Sequence, residues 1–330
     1  YYSFGKSMTT GNTYPTTSSN RWKYNGKETQ TTGEVNWLDY GARMYDEVIG
    51  RWIKPDPMSE KYFFQSPYVY VRNSPIVYVD PTGMYIEESS QQEWERRKGD
   101  VTSRKDYLQN RINKLTAKAK VKGWSAEKLA NKIGDKSERI SSLNNSLDVM
   151  ESLENSSQGY SLSHAGAGEN GGVSLNTVTN IIDISFGKEN TGNFVHEMTH
   201  AGQFETGDIA FDSKTGNTLA QDIYDEISAY KAQFAYDPSS VSDLSSTSVA
   251  NSFGTINASW VQGLVGGNIY VPIGSPNFIP GVSTNTGAGP LNINSTKTDF
   301  INAYPNYPSF NTLPVNYVLK NSYPNIYYKK

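Results

Sequence analysis

Two of the three histidines in the chain lie four residues apart, with a glutamate directly after the first. They are His196 and His200, and the glutamate is Glu197, so the segment reads His-Glu-x-x-His. Residues four apart on an α-helix share a face, with Cβ atoms about 5–6 Å apart. Both imidazoles can therefore reach one Zn²⁺, and Glu197 can act as general base toward a nearby water. Metal-dependent hydrolysis of a peptide bond requires this set of groups.

The segments before this pattern predict how it is positioned. Residues 173–175 and 181–186 have strand character, and 187–193 has the composition of a turn. Thr191 or Asn193 is the expected helix cap. The same His-Glu-x-x-His pattern also occurs in helices that merely expose two histidines. A strand and a loop before the helix favour a metal site. An edge strand there could pair with an extended substrate.

A catalytic zinc needs three protein ligands, and the next helical pattern supplies a candidate for the third. Apolar residues recur at helical spacing over 219–234, and Asp222, Glu226 and Tyr230 follow one line along it. Like charges four residues apart repel, so a cation or a ligand histidine beside them is expected. We predict Glu226 as third ligand and Asp222 as an outer carboxylate that orients a ligand histidine. The alternatives for the third ligand are Asp208, Asp212 and Asp225.

The same residues allow one class of zinc peptidase to be set aside and another to be favoured. The metzincin pattern needs glycine and histidine where this chain has Gln203 and Thr206. The chain instead resembles the gluzincins, in which a second helix carries glutamate followed by small residues, here Glu226-Ile227-Ser228-Ala229. The resemblance implies His196, His200 and Glu226 as ligands and Glu197 as base. It leaves the oxyanion stabiliser open among Tyr230, Tyr224 and His164.

Composition limits the remaining possibilities. The net charge is −3 and the sequence pI about 5.7, so no global attraction to nucleic acid or anionic membrane is expected. A chain without cysteine has neither disulfides nor thiolate ligands, so any zinc must be held by His and carboxylate groups. No apolar run approaches the roughly 18 residues of a transmembrane helix, and no signal peptide is expected within these residues. The opening residues resemble the middle of a β domain, which suggests a piece of a longer protein.

Residues 1–84 combine short aromatic segments with Gly, Pro and Asn turns, a pattern typical of β-hairpins. Several spaced motifs there closely resemble the Rhs/YD-repeat associated core. In chain order they are Asn25-Gly26-Lys27-Glu28, Tyr40-Gly41-Ala42-Arg43-Met44-Tyr45-Asp46, Gly50-Arg51-Trp52, Asp56-Pro57, Tyr68-Val69-Tyr70-Val71-Arg72-Asn73-Ser74-Pro75 and Asp80-Pro81-Thr82-Gly83-Met84. In that family the core closes a spiral β shell around a variable C-terminal toxin.

The family core also cuts its toxin free, which the resemblance places at the Met84–Tyr85 bond. Arg43, Asp56 and Asp80 are then the candidate catalytic groups. Two carboxylates held close share a proton, so one can act as acid while the other activates water. Arg43 could stabilise charge that develops on the carbonyl. The alternative is that both aspartates are Asp-Pro turn residues bonded to backbone.

The sequence therefore predicts an α+β chain with three parts. They are a β-rich Rhs core remnant at 1–84, a helical connector or N-terminal helical part of the toxin at 85–155, and a zincin-like metallopeptidase domain at 156–330. Within the connector, Gly123 and Gly134 are expected breaks and Ser125 a cap.

The predicted function is a zinc-dependent peptidase of a bacterial polymorphic toxin, secreted or delivered into a target cell. Its expected partners are a protein or peptide substrate and an immunity protein, without nucleic acid. The alternative is a non-catalytic surface or adhesive module with a vestigial histidine helix, and a nuclease is disfavoured by the acidity.

Overall fold

The chain, seen in a computed structural model, divides into two compact units. The structure describes residues 1–7, 21–30, 35–40, 43–55, 66–73, 75, 88–156, 158–166, 171–265, 289–305 and 308–329. The first unit comprises Tyr1–Ile86 with Glu154–Gly159, and the second comprises Glu87–Leu153 with Tyr160–Lys330. The segment predicted as a connector therefore belongs mostly to the same unit as the histidine helix.

The first unit contains a four-stranded antiparallel meander. Its strands, in spatial order, are β1 (Glu28–Gln30), β2 (Trp37–Asp39), β3 (Met44–Asp46) and β4 (Arg51–Trp52). The alternating aromatic residues form its core: the rings of Tyr45 and Tyr70 lie 4.2 Å apart, and those of Tyr40 and Trp52 meet edge to face at 5.1 Å. The prediction of aromatic β-hairpins is thus confirmed for the described part of this unit.

Three helices begin the second unit: α1 (Glu88–Lys122), α2 (Ala126–Ile133) and α3 (Lys136–Glu154). The predicted breaks between them are confirmed. Ser125 accepts a hydrogen bond from the Lys128 N–H and caps α2, and Gly134 ends α2 with φ 55°. The first half of α1 is anchored in the core, where the Trp94 ring meets Phe194 edge to face at 5.8 Å.

A three-stranded sheet follows, with β5 (Tyr160–His164), β6 (Gly172–Leu175) and β7 (Ile182–Phe186) in the order β5-β7-β6. β5 is parallel to β7 and β6 is antiparallel to it, so β6 lies at an edge. Alternate residues of β7 are fully buried, and the Phe186 ring packs on Phe194 of the next helix, α4 (Thr191–Thr206).

Seven further α-helices and strands follow α4 in the described part of the chain. They are β8 (Ala210–Asp212), β9 (Thr218–Leu219), α5 (Ile223–Tyr236), α6 (Ala258–Gln262), α7 (Lys297–Ala303), α8 (Leu319–Ser322) and β10 (Ile326–Tyr327). Strands β10, β8 and β9 form a second antiparallel sheet in that order. The mixture of helix and sheet agrees with the predicted α+β class. Among the described helices, none is long and apolar enough to cross a bilayer.

Candidate metal centre

Helix α4 carries both histidines and lies in the interior of its unit. Twelve of its sixteen residues are buried, as expected for a helix surrounded by other elements. Its cap is Asn190, whose side chain accepts from the Asn193 N–H at 2.9 Å, so the predicted caps Thr191 and Asn193 are wrong. The Thr191 hydroxyl instead bonds Arg97 and Asp100 of α1. Gly207 ends the helix in the left-handed region, φ 81°.

Helix α5 carries the glutamate, and it begins later than the sequence pattern predicts. Leu219 belongs to β9, Ala220 has φ 64°, and the helix starts at Ile223. Asp222 is its N-cap: one carboxylate oxygen accepts from the N–H groups of Tyr224 and Asp225. The other accepts from the Leu291 N–H at 2.6 Å.

The role predicted for Asp222, orienting a ligand histidine, is therefore wrong. The first N–H groups of a helix have no partner within it, and aspartate before the first turn satisfies them. All of the Asp222 contacts just given are to backbone N–H groups and none is to an imidazole.

His196, His200 and Glu226 converge on one point in the interior. Their Nε2 and carboxylate oxygen atoms all lie within 4.8 Å of one another, and all three residues are buried. The two Nε2 atoms are 3.3 Å apart. One Glu226 oxygen is 3.4 Å from His196 Nε2, and the other is 3.4 Å from His200 Nε2.

A glutamine defines the protonation of His200. Gln203 Nε2 donates to the Asp225 carbonyl at 3.1 Å, which leaves Gln203 Oε1 facing His200 Nδ1 at 2.7 Å. Because Oε1 can only accept, Nδ1 must carry the proton, and Nε2 of the neutral ring presents a lone pair. Burial lowers the pKa of His200 and favours this neutral ring, although the charge of Glu226 opposes the shift.

The donor atoms fit a bound cation. A bare imidazole nitrogen and a carboxylate 3.4 Å apart repel unless a proton or a cation lies between them. Zn²⁺ bonds of 2.0–2.1 Å place the ligand atoms of a tetrahedron roughly 3.3–3.4 Å apart. The two Nε2 atoms are 3.3 Å apart, and each lies 3.4 Å from one Glu226 oxygen, a different oxygen in each case, so the donor spacings are close to that value. The buried group can therefore hold a metal ion.

The electrostatics of the group are those of closely spaced buried charges. Burial tends to raise the pKa of Glu226, but the two histidines and a 2.9 Å hydrogen bond from Gln221 outweigh it and lower that pKa. Burial tends to lower the pKa of His196, but Glu197 and Glu226 outweigh it and raise that pKa. Within the described residues, the buried His196 Nδ1 makes no hydrogen bond of ordinary geometry, although the Gln233 side chain is near it.

Glu197 lies beside the donor group without joining it. Its Oε1 accepts from Asn193 Nδ2 at 3.1 Å, and burial raises the pKa of its carboxyl to about 7. Gly171, directly before β6, packs so closely that a Cβ on it would lie 2.7 Å from Glu197 Oε1. The edge of the sheet therefore reaches Glu197 only because residue 171 has no side chain.

Tyr230 and Trp260 form an aromatic wall on the other side of His196. The Tyr230 ring meets the His196 ring at 4.3 Å, and the Trp260 ring meets Tyr230 at 5.1 Å. Burial raises the pKa of the Tyr230 hydroxyl above its usual range, so it stays protonated and can donate. The Trp260 indole N–H is fully buried and finds no hydrogen-bond partner among the residues that the structure describes.

The other candidate ligands and stabilisers have different surroundings. Asp208 accepts from the Thr206 hydroxyl at 2.8 Å, and Asp225 completes the capping box of α5. Asp212 holds the turn after β8 by accepting from the Lys214 N–H at 2.7 Å. His164 is exposed at the end of β5, and Tyr224 is a partly buried core residue.

The predicted self-cleavage residues are only partly described. Arg43 is buried in the first unit with its guanidinium 4.1 Å from the centre of the Trp52 ring. Asp56, Asp80 and the Met84–Tyr85 bond lie outside the described residues.

Sequence reasoning missed two residues that bond members of the buried group. Gln203 and Gln221 bond His200 and Glu226, respectively. Gln203 stands three residues after His200 on the same helix, and that spacing could have identified it. Gln221 precedes the helix, so no periodic signal marks it.

Comparisons with known proteins extend only to a short segment. No family model matches the chain. No solved structure matches it either. A stretch of 62 residues is 43% identical to salivary gland surface protein 1 of Aedes aegypti, which is 19% of this chain and 2% of the mosquito protein.

Proposed function

We propose that the second unit is a zincin-like, zinc-dependent peptidase, and that the chain is the C-terminal part of an Rhs-type polymorphic toxin. The observation that carries the proposal is the buried group of His196, His200 and Glu226 with Glu197 beside it. When bound, Zn²⁺ would supply Lewis-acid polarisation of the scissile carbonyl and a lower pKa for the attacking water.

In this proposal Glu197 moves the proton. Its Oε1 is held by Asn193, which leaves Oε2 to take a proton from the attacking water and return it to the leaving amine. Tyr230, protonated and next to His196, is the candidate donor to the oxygen on which negative charge develops. Gln203 and Gln221 hold two of the ligands in orientation.

The edge strand β6 supports a peptide as substrate. The Leu175 N–H points away from β7 and bonds Gly216 O at 2.9 Å. Because backbone groups alternate along a strand, those of Val173 point outward in the same direction. An extended peptide could pair with this edge, which ends at Gly171 against Glu197.

The test combines metal analysis with peptide hydrolysis. The purified chain should contain one equivalent of zinc and hydrolyse a mixed peptide library, and a chelator should remove both zinc and activity. Glu197→Gln keeps the shape and the Asn193 contact, so it should retain zinc while activity falls by about 10²- to 10⁴-fold, the usual contribution of a general base. Full activity of Glu197→Gln would refute the assigned base.

A non-catalytic surface module is the second candidate. The 62-residue match to a protein named as a surface protein favours it. Such a module would carry no stoichiometric zinc, so the same metal analysis separates the two candidates.

Release by self-cleavage after Met84, with Arg43, Asp56 and Asp80, belongs to the first proposal and rests on the Rhs-like motifs. A protein substrate, an immunity protein and secretion or delivery into a target cell belong to it as well. Mass spectrometry of the purified chain tests the release step directly, because cleavage would leave a new N-terminus at Tyr85.

A further inference from the structure

The last third of α1 and α2 as far as Lys132 form a strongly basic surface, which we define as residues 111–132 and call the basic end. Its seven cationic side chains are Arg111, Lys114, Lys118, Lys120, Lys122, Lys128 and Lys132. Glu127 is its single acidic residue, so the net charge of the basic end is +6. Because the whole chain carries −3, the other residues together carry −9. Charge is therefore strongly segregated in this protein.

These cations are not part of the ion pairs that support the fold. All seven are exposed, and within the described residues none forms an ion pair. The basic residues that do support the unit have different surroundings. Arg97 is buried against Glu93 at 2.7 Å, and Arg139 donates to the Ala235 carbonyl at 3.0 Å. The charges of the basic end are thus available to a partner.

Apolar side chains accompany these charges. Val121 is 87% exposed between Lys120 and Lys122. Helix α2 separates apolar from charged residues along its length, yet none of its residues is buried. Trp124, at the turn between the helices, is half-buried with the Lys128 ammonium 5.3 Å from its ring centre. Basic helices with exposed apolar residues and a Trp at their edge are typical of protein surfaces that lie on a bilayer.

The basic end also extends away from the core. Leu108 is the last large side chain of α1 that is fully buried, and Lys122 follows it by fourteen residues. At 1.5 Å per residue the helix continues for about 21 Å beyond that point. Charges in salt solution are screened over about 8 Å at physiological ionic strength. The acidic groups in the core of the same unit therefore do not prevent this end from approaching an anionic surface.

We propose that the basic end binds the anionic lipid surface of a membrane, lying on it without crossing it. Six of its seven cations are lysines, which act as point charges toward a diffuse layer of headgroups, whereas planar recognition of bases or single phosphates favours arginine. The exposed Val121 gains from insertion among lipids and gains nothing from a nucleic-acid backbone. This inference is independent of the peptidase proposal.

Flotation of the full 330-residue chain with lipid vesicles tests the proposal. Binding is expected to phosphatidylcholine vesicles that contain 30% phosphatidylserine at 0.1 M salt, and to be absent from pure phosphatidylcholine vesicles and at 0.5 M salt. A lysine near an anionic surface contributes roughly fivefold to binding. Lys118→Gln/Lys122→Gln should therefore weaken binding by about 25-fold.

The matched control is Lys188→Gln/Lys214→Gln, which removes the same net charge from exposed positions of the same unit outside the basic end. It should change binding by less than about twofold, because these positions lie outside the binding surface. Val121→Ser should weaken binding by about three- to tenfold through lost apolar burial, whereas Val121→Leu should preserve it. Far-UV circular dichroism checks that each variant is folded.

Three results would overturn the proposal. One is equal loss of binding in the two lysine pairs, which would indicate a response to net charge alone. Another is binding to neutral and anionic vesicles alike. The last is binding of a short duplex DNA or RNA at 0.1 M salt without vesicle binding, which would identify a nucleic-acid surface instead.

Discussion

The start of α5 contains two kinds of buried carboxylate, one residue apart in sequence. Asp222 and Asp225 accept hydrogen bonds from backbone N–H groups, including the reciprocal pair of the capping box. Glu226 instead directs its two oxygens at the nitrogens of His196 and His200. Both groups are buried carboxyl groups, so what distinguishes Asp222 and Asp225 from Glu226 is the set of atoms that each one faces. A carboxyl group that faces backbone donors can cap a helix, and one that faces two imidazole nitrogens marks a place where a cation can bind.

Loss of the carboxylate that faces the histidines should have the largest effect. In Glu226→Ala we expect zinc affinity to fall by more than the roughly 10–100-fold typical of a change outside the ligand shell. Competition with a coloured chelator measures this affinity. Asp208→Ala, which removes an exposed rival ligand, is the control and should keep wild-type affinity. Wild-type zinc affinity in Glu226→Ala would show that Glu226 is not a zinc ligand.

Zinc itself should stabilise the fold only through the ligand group. At free zinc about 100 times the dissociation constant, the free energy of unfolding should rise by about 2.7 kcal/mol. Denaturant titrations of apo and zinc-loaded chain measure the difference. Glu226→Ala should lose the increment and Asp222→Ala should keep it, and the reverse outcome would exchange the roles of the two residues.

Gln203 should matter less than a ligand, because it acts only by orienting His200. Gln203→Ala is expected to weaken zinc binding by roughly 10- to 100-fold, the usual effect of removing an outer-shell partner. The same chelator competition measures it, and the stoichiometry at saturating zinc should remain one. An unchanged affinity would mean that packing alone holds the His200 ring.

Removal of the helix cap should affect stability without affecting the metal. Asp222→Ala leaves the first N–H groups of α5 without their acceptor, at a typical expense of about 0.5–2 kcal/mol in unfolding free energy. Chemical denaturation with chelator present measures the loss. Asp243→Ala, an exposed acid outside the cap, should change stability little. Loss of zinc from folded Asp222→Ala would argue that Asp222 does orient a ligand.

The smallest effect is a pH dependence. Burial and the charge of Asp222 raise the pKa of Asp225 well above its usual value. A group whose pKa is higher in the folded state contributes stability that is fully present at pH values below its unfolded-state pKa, about 3.9 for aspartate. That stability is lost as the pH rises through the folded-state pKa. Asp225→Asn should remove this decline in stability above about pH 4. Unfolding titrations between pH 4 and 8, with chelator present, should show the flatter curve.

The convergence of His196, His200 and Glu226 could be predicted because its signals are local or chemical. Four-residue spacing joins His196 to His200, and like-charge repulsion along one helical line pointed to Glu226. The same repulsion argument failed for Asp222. It assumed a helix from 219, whereas β9 pairing and the left-handed Ala220 delay the helix to Ile223. The pairing of β9 with β8 sets the start of α5, and the spacing of apolar residues gives no information about that pairing.

Contacts made by residues distant in sequence could not be predicted, for a related reason. Trp260 and Gly171 come to the centre from separate elements, and neither belongs to a motif. By contrast, the helix breaks at Gly123 and Gly134 and the aromatic hairpins of the first unit depend on neighbouring residues, and the structure has them as predicted. Local rules thus describe the elements, while the surroundings of the metal ligands depend on how those elements pack.

The last strand has a consequence for how the protein is made. β10 pairs with β8, and the Tyr323 hydroxyl bonds Asp212, 111 positions earlier. Lys329 reaches Glu205 near the end of the metal helix, 124 positions earlier. Ribosomes add about 5–20 residues per second, so roughly 6–25 s separate the synthesis of these partners. A nascent chain therefore holds both histidines well before the strand that completes the second sheet exists.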